Sequence, residues 1–111
     1  MEIRTRRVND VLVVDMVGRL DSRSSGPVST DLNEIAQRGE RKLVLNIAGV
    51  EYMSSAGLRA LLVAAKLVEV HEGALKICTP SPGVRRVMEV SGIGSLLHLC
   101  ASEQEALAAL A

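Results

Sequence analysis

The sequence predicts a single α/β domain over residues 1–111, a mixed, mainly parallel β-sheet with packed helices in the order β-β-α-β-α-β-α-β-α. Three observations carry that prediction. Short runs rich in Val, Leu and Ile alternate with longer segments whose apolar residues recur at helical spacing. The first two runs are separated only by the turn pair Asn9-Asp10, so they pair antiparallel, whereas the later runs are joined through helices and therefore by crossovers. No linker, repeat or low-complexity segment interrupts a chain whose 111 residues suit one core and not two.

The elements follow in order. Ile3 to Val8 and Val11 to Val17 form the opening hairpin. The stretch Gly18-Arg19-Leu20-Asp21-Ser22-Arg23-Ser24-Ser25-Gly26-Pro27 is a loop ending in helix-start signals, with Ser25 or Gly26 as cap and Pro27 in the first turn. The helix after it carries Val28, Leu32, Ile35 and Ala36 on one stripe and stops at Gly39. Lys42 to Ile47 has the continuous apolar character of a sheet centre, and a short linker leads from it into Ser54-Ser55. A helix runs from near Ser55 to about His71, with Gly73 just beyond, and Ala74 to Thr79 is the next strand. Ser81-Pro82 opens a short helix with Val84, Val87 and Met88 inward, and Gly92-Ile93-Gly94 is a turn. Leu96 to Cys100 is the last strand, and Ser102 with Glu105 makes a capping box for a helix from Glu103 to Leu110.

Composition excludes several classes of function. Apolar residues make up 48% of the chain, so it is not disordered, and with Tyr52 the lone aromatic residue its core is aliphatic. Thirteen basic residues balance thirteen acidic ones, which argues against nucleic acid, where a basic excess and stacking aromatics are expected. Arg4, Arg6 and Arg7 instead mark the solvated side of an edge strand. Cys78 and Cys100 both fall in apolar stretches and read as buried free thiols. The start of the chain has no apolar signal core, and no run approaches membrane-spanning length, so the expectation is a cytoplasmic protein with no membrane contact.

Nothing suggests catalysis or a cofactor. His71 and His98 have no metal-ligand spacing around them, Met53 occupies the position where a nucleophile elbow at Ser55 needs glycine, and no phosphate-binding glycine loop with its lysine occurs. No catalytic residue and no metal site is therefore expected. Ser55, at a helix start, can be a plain N-cap, an anion site or a place where phosphate is added. The helix behind it has a core stripe of Leu58, Leu61, Leu62, Ala65 and Val68. A second stripe, Ala60, Val63, Ala64 and Leu67, is either covered by neighbouring helices or exposed to dock a partner.

Gly18-Arg19-Leu20-Asp21 after the second strand, the apolar third strand, and Met53-Ser54-Ser55-Ala56-Gly57-Leu58 at the turn into a helix together resemble the STAS family, specifically bacterial anti-sigma factor antagonists. The resemblance spans essentially the full length and implies a phosphorylated serine at Ser55. Ser54 stands where the family has Asp, which removes a negative charge, and Ala56 where a second Ser or Thr is common. Asp21 matches an acidic loop residue that helps partner contact in the family. The resemblance also implies the partners: a GHKL-type serine kinase acting as anti-sigma factor, and a PP2C-type serine phosphatase that reverses the modification. The partner surface expected on this basis joins Asp21 and Ser22 to Ser54, Ser55, Ala56, Gly57 and Arg59, and to the stripe Ala60, Val63, Ala64 and Leu67. The alternatives are a non-switching STAS module of a transporter or scaffold complex and, more remotely, a small-ligand or nucleotide site at the loop rim.

Overall fold

A computed structural model describes residues 1–92 and 96–111 of the chain. Its elements are β1 (Glu2–Val8), β2 (Val11–Leu20), α1 (Ser25–Gln37), β3 (Lys42–Met53), α2 (Ser55–Val70), β4 (Ala74–Cys78), α3 (Pro82–Val90), β5 (Leu99–Cys100) and α4 (Glu103–Ala109). The order is the expected one. The sheet runs β1-β2-β3-β4-β5, with β1 antiparallel to β2 and every later pair parallel. Asn9 makes the hairpin turn with φ at 56°, a left-handed conformation that asparagine tolerates better than most residues.

Side-chain alternation sends the strands' apolar residues to two unequal cores. On one face Leu12, Val14, Met16, Leu43, Leu45, Ile47, Leu75 and Ile77 pack with the inner sides of α1, α2 and α3. On the other, Val11, Val13, Val44, Cys78 and Cys100 pack with Ala106 and Leu110 at α4. Cys78 and Cys100 are register partners across β4 and β5 and remain free thiols, and burial pushes both thiol pKa values up. The start of α4 is pinned by Glu103, which accepts from Arg6 and, at 3.0 Å, from Asn46 Nδ2, while Arg6 Nε donates to Asp15 at 2.7 Å.

Four boundaries differ from expectation. β2 runs on to Leu20, taking in Gly18, Arg19 and Leu20, which were expected in the loop, because each pairs with β3. The segment read as a linker continues β3 as far as Met53, pairing Gly49 with Val17, Tyr52 with Arg19 and Met53 with Leu20 across two register shifts. Pairing with β4 stops at Asn46, so this distal half is bonded on one side only and lacks the continuous apolar run of a sheet centre. The last strand is only Leu99–Cys100; Leu96 is exposed and His98 precedes the strand. Ser24, not Ser25 or Gly26, occupies the N-cap of α1. Of the expected turn Gly92-Ile93-Gly94, Ile93 and Gly94 lie outside the described residues.

Candidate functional site

The long β2 and β3 strands end side by side, and that brings the two sequence motifs together. Beyond the last strand pair, the Ser54 amide donates to the Leu20 carbonyl at 2.9 Å. Gly57, in the first turn of α2, lies directly on Leu20. A Cβ placed there would sit 2.6 Å from both Leu20 Cγ and Leu20 O, so only glycine permits this approach. The loop after β2 and the start of α2 are thus one packed unit.

Within that unit the paired serines divide their roles. Ser54 is the N-cap, in extended conformation, and its hydroxyl accepts from the Gly57 amide at 3.2 Å. The backbone continues the cap, with the Leu58 amide donating to Ser54 O at 2.9 Å. Ser55 is the first residue of the helix proper, and its exposed side chain makes no hydrogen bond among the described residues. The capping role open to Ser55 in the sequence therefore belongs to Ser54.

Asp21 is turned into its own loop. Its Oδ1 accepts from the amides of Arg23 at 3.0 Å and Ser24 at 3.2 Å, and these hydrogen bonds hold the carboxyl below its ordinary pKa. Ser24 Oγ closes the turn, donating to Arg19 O at 2.7 Å and accepting from the Asp21 amide at 2.9 Å. Arg19 sits 4.4 Å over the ring of Tyr52. Asp21 opens onto a groove with Met1, Arg19, Arg23, Pro27 and Asp31 that does not include Ser55. Ser22 is exposed at the loop tip.

Two other shallow grooves meet at Ser55. One lies between the starts of α1 and α2, lined by Ser25, Ser29, Ala56, Arg59 and Val63 among others. The second lies between α2 and α3, where Gly83, Arg86, Val87 and Val90 face Ser55. Ser55, Ala56, Arg59 and Val63 are exposed, and Leu67 is half-buried.

The second stripe of α2 is not an open patch. Ala60 is 8% exposed and Ala64 2%, and Ala64 belongs to the core that also contains Val28, Leu32, Ile35 and Ala36 of α1. Gly57 is buried against Leu20. Of these three residues, all expected at a partner surface, Gly57 and Ala64 are packing positions, and Ala60, though buried, lines the groove between α1 and α2. Val63, at 47% exposure, keeps the expected accessibility. The missed contributors are Ser25 and Ser29 on α1 and Arg86, Val87 and Val90 on α3. Val87, expected inward with Val84 and Met88, is half-buried and lines this groove instead; Arg86 and Val90 were visible in the sequence, but no local signal brings α3 alongside Ser55.

A family model described as the STAS domain matches residues 2–106. Among curated relatives, the Bordetella bronchiseptica protein named "Putative anti-sigma factor antagonist BtrV" is 32% identical over 109 residues, covering 98% of this chain and 94% of the relative. An anti-sigma F factor antagonist of Paenibacillus polymyxa is 29% identical, with 99% and 95% coverage. Among solved structures, the unphosphorylated anti-sigma factor antagonist SpoIIAA superposes with a TM-score of 0.79 at 24% identity, covering 96% of this chain and 93% of that one. The Bacillus SpoIIAA solved in its phosphorylated form gives 0.74 at 22% identity, with 99% and 100% coverage.

Proposed function

This chain belongs to the STAS-domain family, and we propose that within it the protein is an anti-sigma factor antagonist whose binding is switched by phosphorylation of Ser55. The observation that carries the reading is the division of labour at the turn. Ser54 satisfies the helix cap, so Ser55 is exposed, holds no structural hydrogen bond among the described residues, and is presented on a rigid helix start. Two relatives that span nearly the whole chain bear the name anti-sigma factor antagonist, and one solved neighbour is described in a phosphorylated form.

The unmodified protein docks on a GHKL-type serine kinase that serves as the anti-sigma factor, and this frees the kinase's client. Contact is made by the Asp21–Ser22 loop tip, Ser54 and Ser55, Ala56, Arg59, Val63 and the half-buried Leu67. In the transfer step Ser55 Oγ bonds to the γ-phosphorus of ATP as the bond to the β-phosphate oxygen breaks. ADP leaves, and the hydroxyl proton passes to a base of the kinase. The phosphate adds nearly two negative charges at neutral pH, and burying them against a partner strips their water. A loss of a few kcal/mol suffices, because each ~1.4 kcal/mol is a tenfold change in affinity. A PP2C-type phosphatase then hydrolyses the phosphoserine and restores the binding form.

Incubation with the candidate kinase and ATP, followed by phosphopeptide mapping, tests this. One phosphate on Ser55 is expected, with none incorporated by Ser55→Ala and with loss of the kinase complex on modification. Phosphate mapped mainly to Ser54, Ser22 or Ser25, or a kinase complex that survives full modification, would falsify the reading.

A further inference from the structure

The two grooves that meet at Ser55 share an electrostatic feature. Each contains one arginine, Arg59 on the α1 side and Arg86 on the α3 side, and neither is lined by any carboxylate. Both guanidinium groups belong to exposed residues and form no ion pair among the described residues. Arg4, Arg6, Arg7 and Arg19, by contrast, each hold a carboxylate, and the groove beside Asp21 mixes both signs. Arg59 stands four residues after Ser55 on α2, the spacing at which side chains on one helix meet. Arg86, on the facing helix, lines the same groove as Ser55, together with Gly83 and Val87.

Resting on the reading of Ser55 as a phosphorylation site, the geometry points to an intramolecular phosphate clamp: a dianion on Ser55 Oγ is bound by Arg59 from its own helix and by Arg86 from α3. The chemistry suits the partners. A phosphate offers three acceptor oxygens, and guanidinium groups bind them through paired N–H donors. No acidic residue lining either groove has to be displaced first. Phosphorylation then acts in two ways on one surface. It adds charge, and it draws Arg59 and Arg86 inward across the grooves, so that neither cation is free to meet a carboxylate on a partner.

The test places phosphoserine at position 55 during translation by amber suppression, so no kinase is needed and the clamp is assayed separately from the signalling reading. Phosphorus-31 NMR then follows the second ionisation of the phosphate in the full chain. Free phosphoserine loses this proton near pH 6, and two adjacent guanidinium groups favour the dianion, so the midpoint should lie at least about half a unit lower in the folded protein. Arg59→Gln and Arg86→Gln should each return part of that shift, the double variant most of it, with the remainder left to the N-terminus of α2, and Arg86→Lys should retain a part. Circular dichroism confirms that each exposed substitution leaves the fold intact. A midpoint in the double variant equal to that of the unsubstituted phosphoprotein overturns the clamp, and an unchanged midpoint in either single variant overturns its two-sided form. If the clamp holds while no kinase modifies Ser55, it is the signalling reading that fails.

Discussion

Gly57→Ala is the sharpest test of how the loop after β2 and the start of α2 are joined. The added methyl would sit 2.6 Å from Leu20 O and 2.6 Å from Leu20 Cγ, with Leu20 C at 3.1 Å. Leu20 is fully buried, and its carbonyl already accepts from the Ser54 amide, so neither atom can yield without disturbing the core or the β2–β3 pairing. Overpacking of this kind costs about 1–3 kcal/mol, and a clash with backbone belongs at the upper end. Alanine inside a helix returns about 1 kcal/mol over glycine, which leaves a net loss of about 2 kcal/mol. For a domain of this size that lowers the melting temperature by roughly 8 °C. Gly83→Ala is the matched control, since that glycine is also helical and a Cβ there would meet nothing within 4 Å. It should leave stability unchanged or raise it by up to about 1 kcal/mol. Differential scanning calorimetry of the two variants decides the matter. If Gly57→Ala melts with or above the unsubstituted protein, the close approach to Leu20 does not constrain the turn, and the account of why the motif holds glycine is wrong.

Further expectations concern the same turn and its surroundings. Ser54→Ala should lose about 1 kcal/mol in urea unfolding, as removal of an N-cap does, whereas Ser55→Ala should stay within about 0.5 kcal/mol; the reverse order would return the cap to Ser55. Val63→Glu should fold normally, shifting stability by about 0.5 kcal/mol or less, yet weaken kinase binding in calorimetric titration by well over tenfold, while Ala64→Glu should unfold the domain because that site is 2% exposed. Normal binding by a folded Val63→Glu would move the partner surface elsewhere. Glu103 is held below its ordinary pKa first by its hydrogen bond from Arg6 and then by that from Asn46. A carboxyl lowered in the folded state adds stability above its ordinary value, and the contribution is lost as pH falls through the lowered one. Arg6→Gln should therefore destabilise at pH 7 by about 1 kcal/mol or less, given the exposure of the pair, and flatten the acid limb of a pH series of urea melts. An acid limb identical to that of the unsubstituted protein would mean that Arg6 does not hold Glu103.

Element order and sheet class were legible because they depend on signals local in sequence: apolar period, the Asn9-Asp10 turn, and caps such as Ser81 and Ser102, both of which cap as expected. Failures occurred where a partner distant in the chain decides the outcome. Ala48 to Met53 lacks the apolar continuity of the central strand, yet it is held in extended form by β2. The second stripe of α2 posed the same problem in another form. Ala64 is small enough for α1 to pack closely over it, Ala60 is buried beside the groove between the two helices, and Val63 between them stays accessible, a distinction that helical periodicity does not contain.

The serine pair shows why a motif can locate a site without assigning its chemistry. A cap is defined by backbone conformation, and Ser54 is extended, with φ −91° and ψ 171°, because the Leu20 carbonyl holds its amide at the end of the sheet. The helix can begin only after that contact, so the hydroxyl at 54 turns to the Gly57 amide and the hydroxyl at 55 faces solvent. Position 54 is thus fixed by strand pairing, position 57 by the approach to Leu20, and position 55 by neither. A residue free of structural duty in so constrained a turn can change its charge without changing the fold, and a phosphorylated switch needs that property.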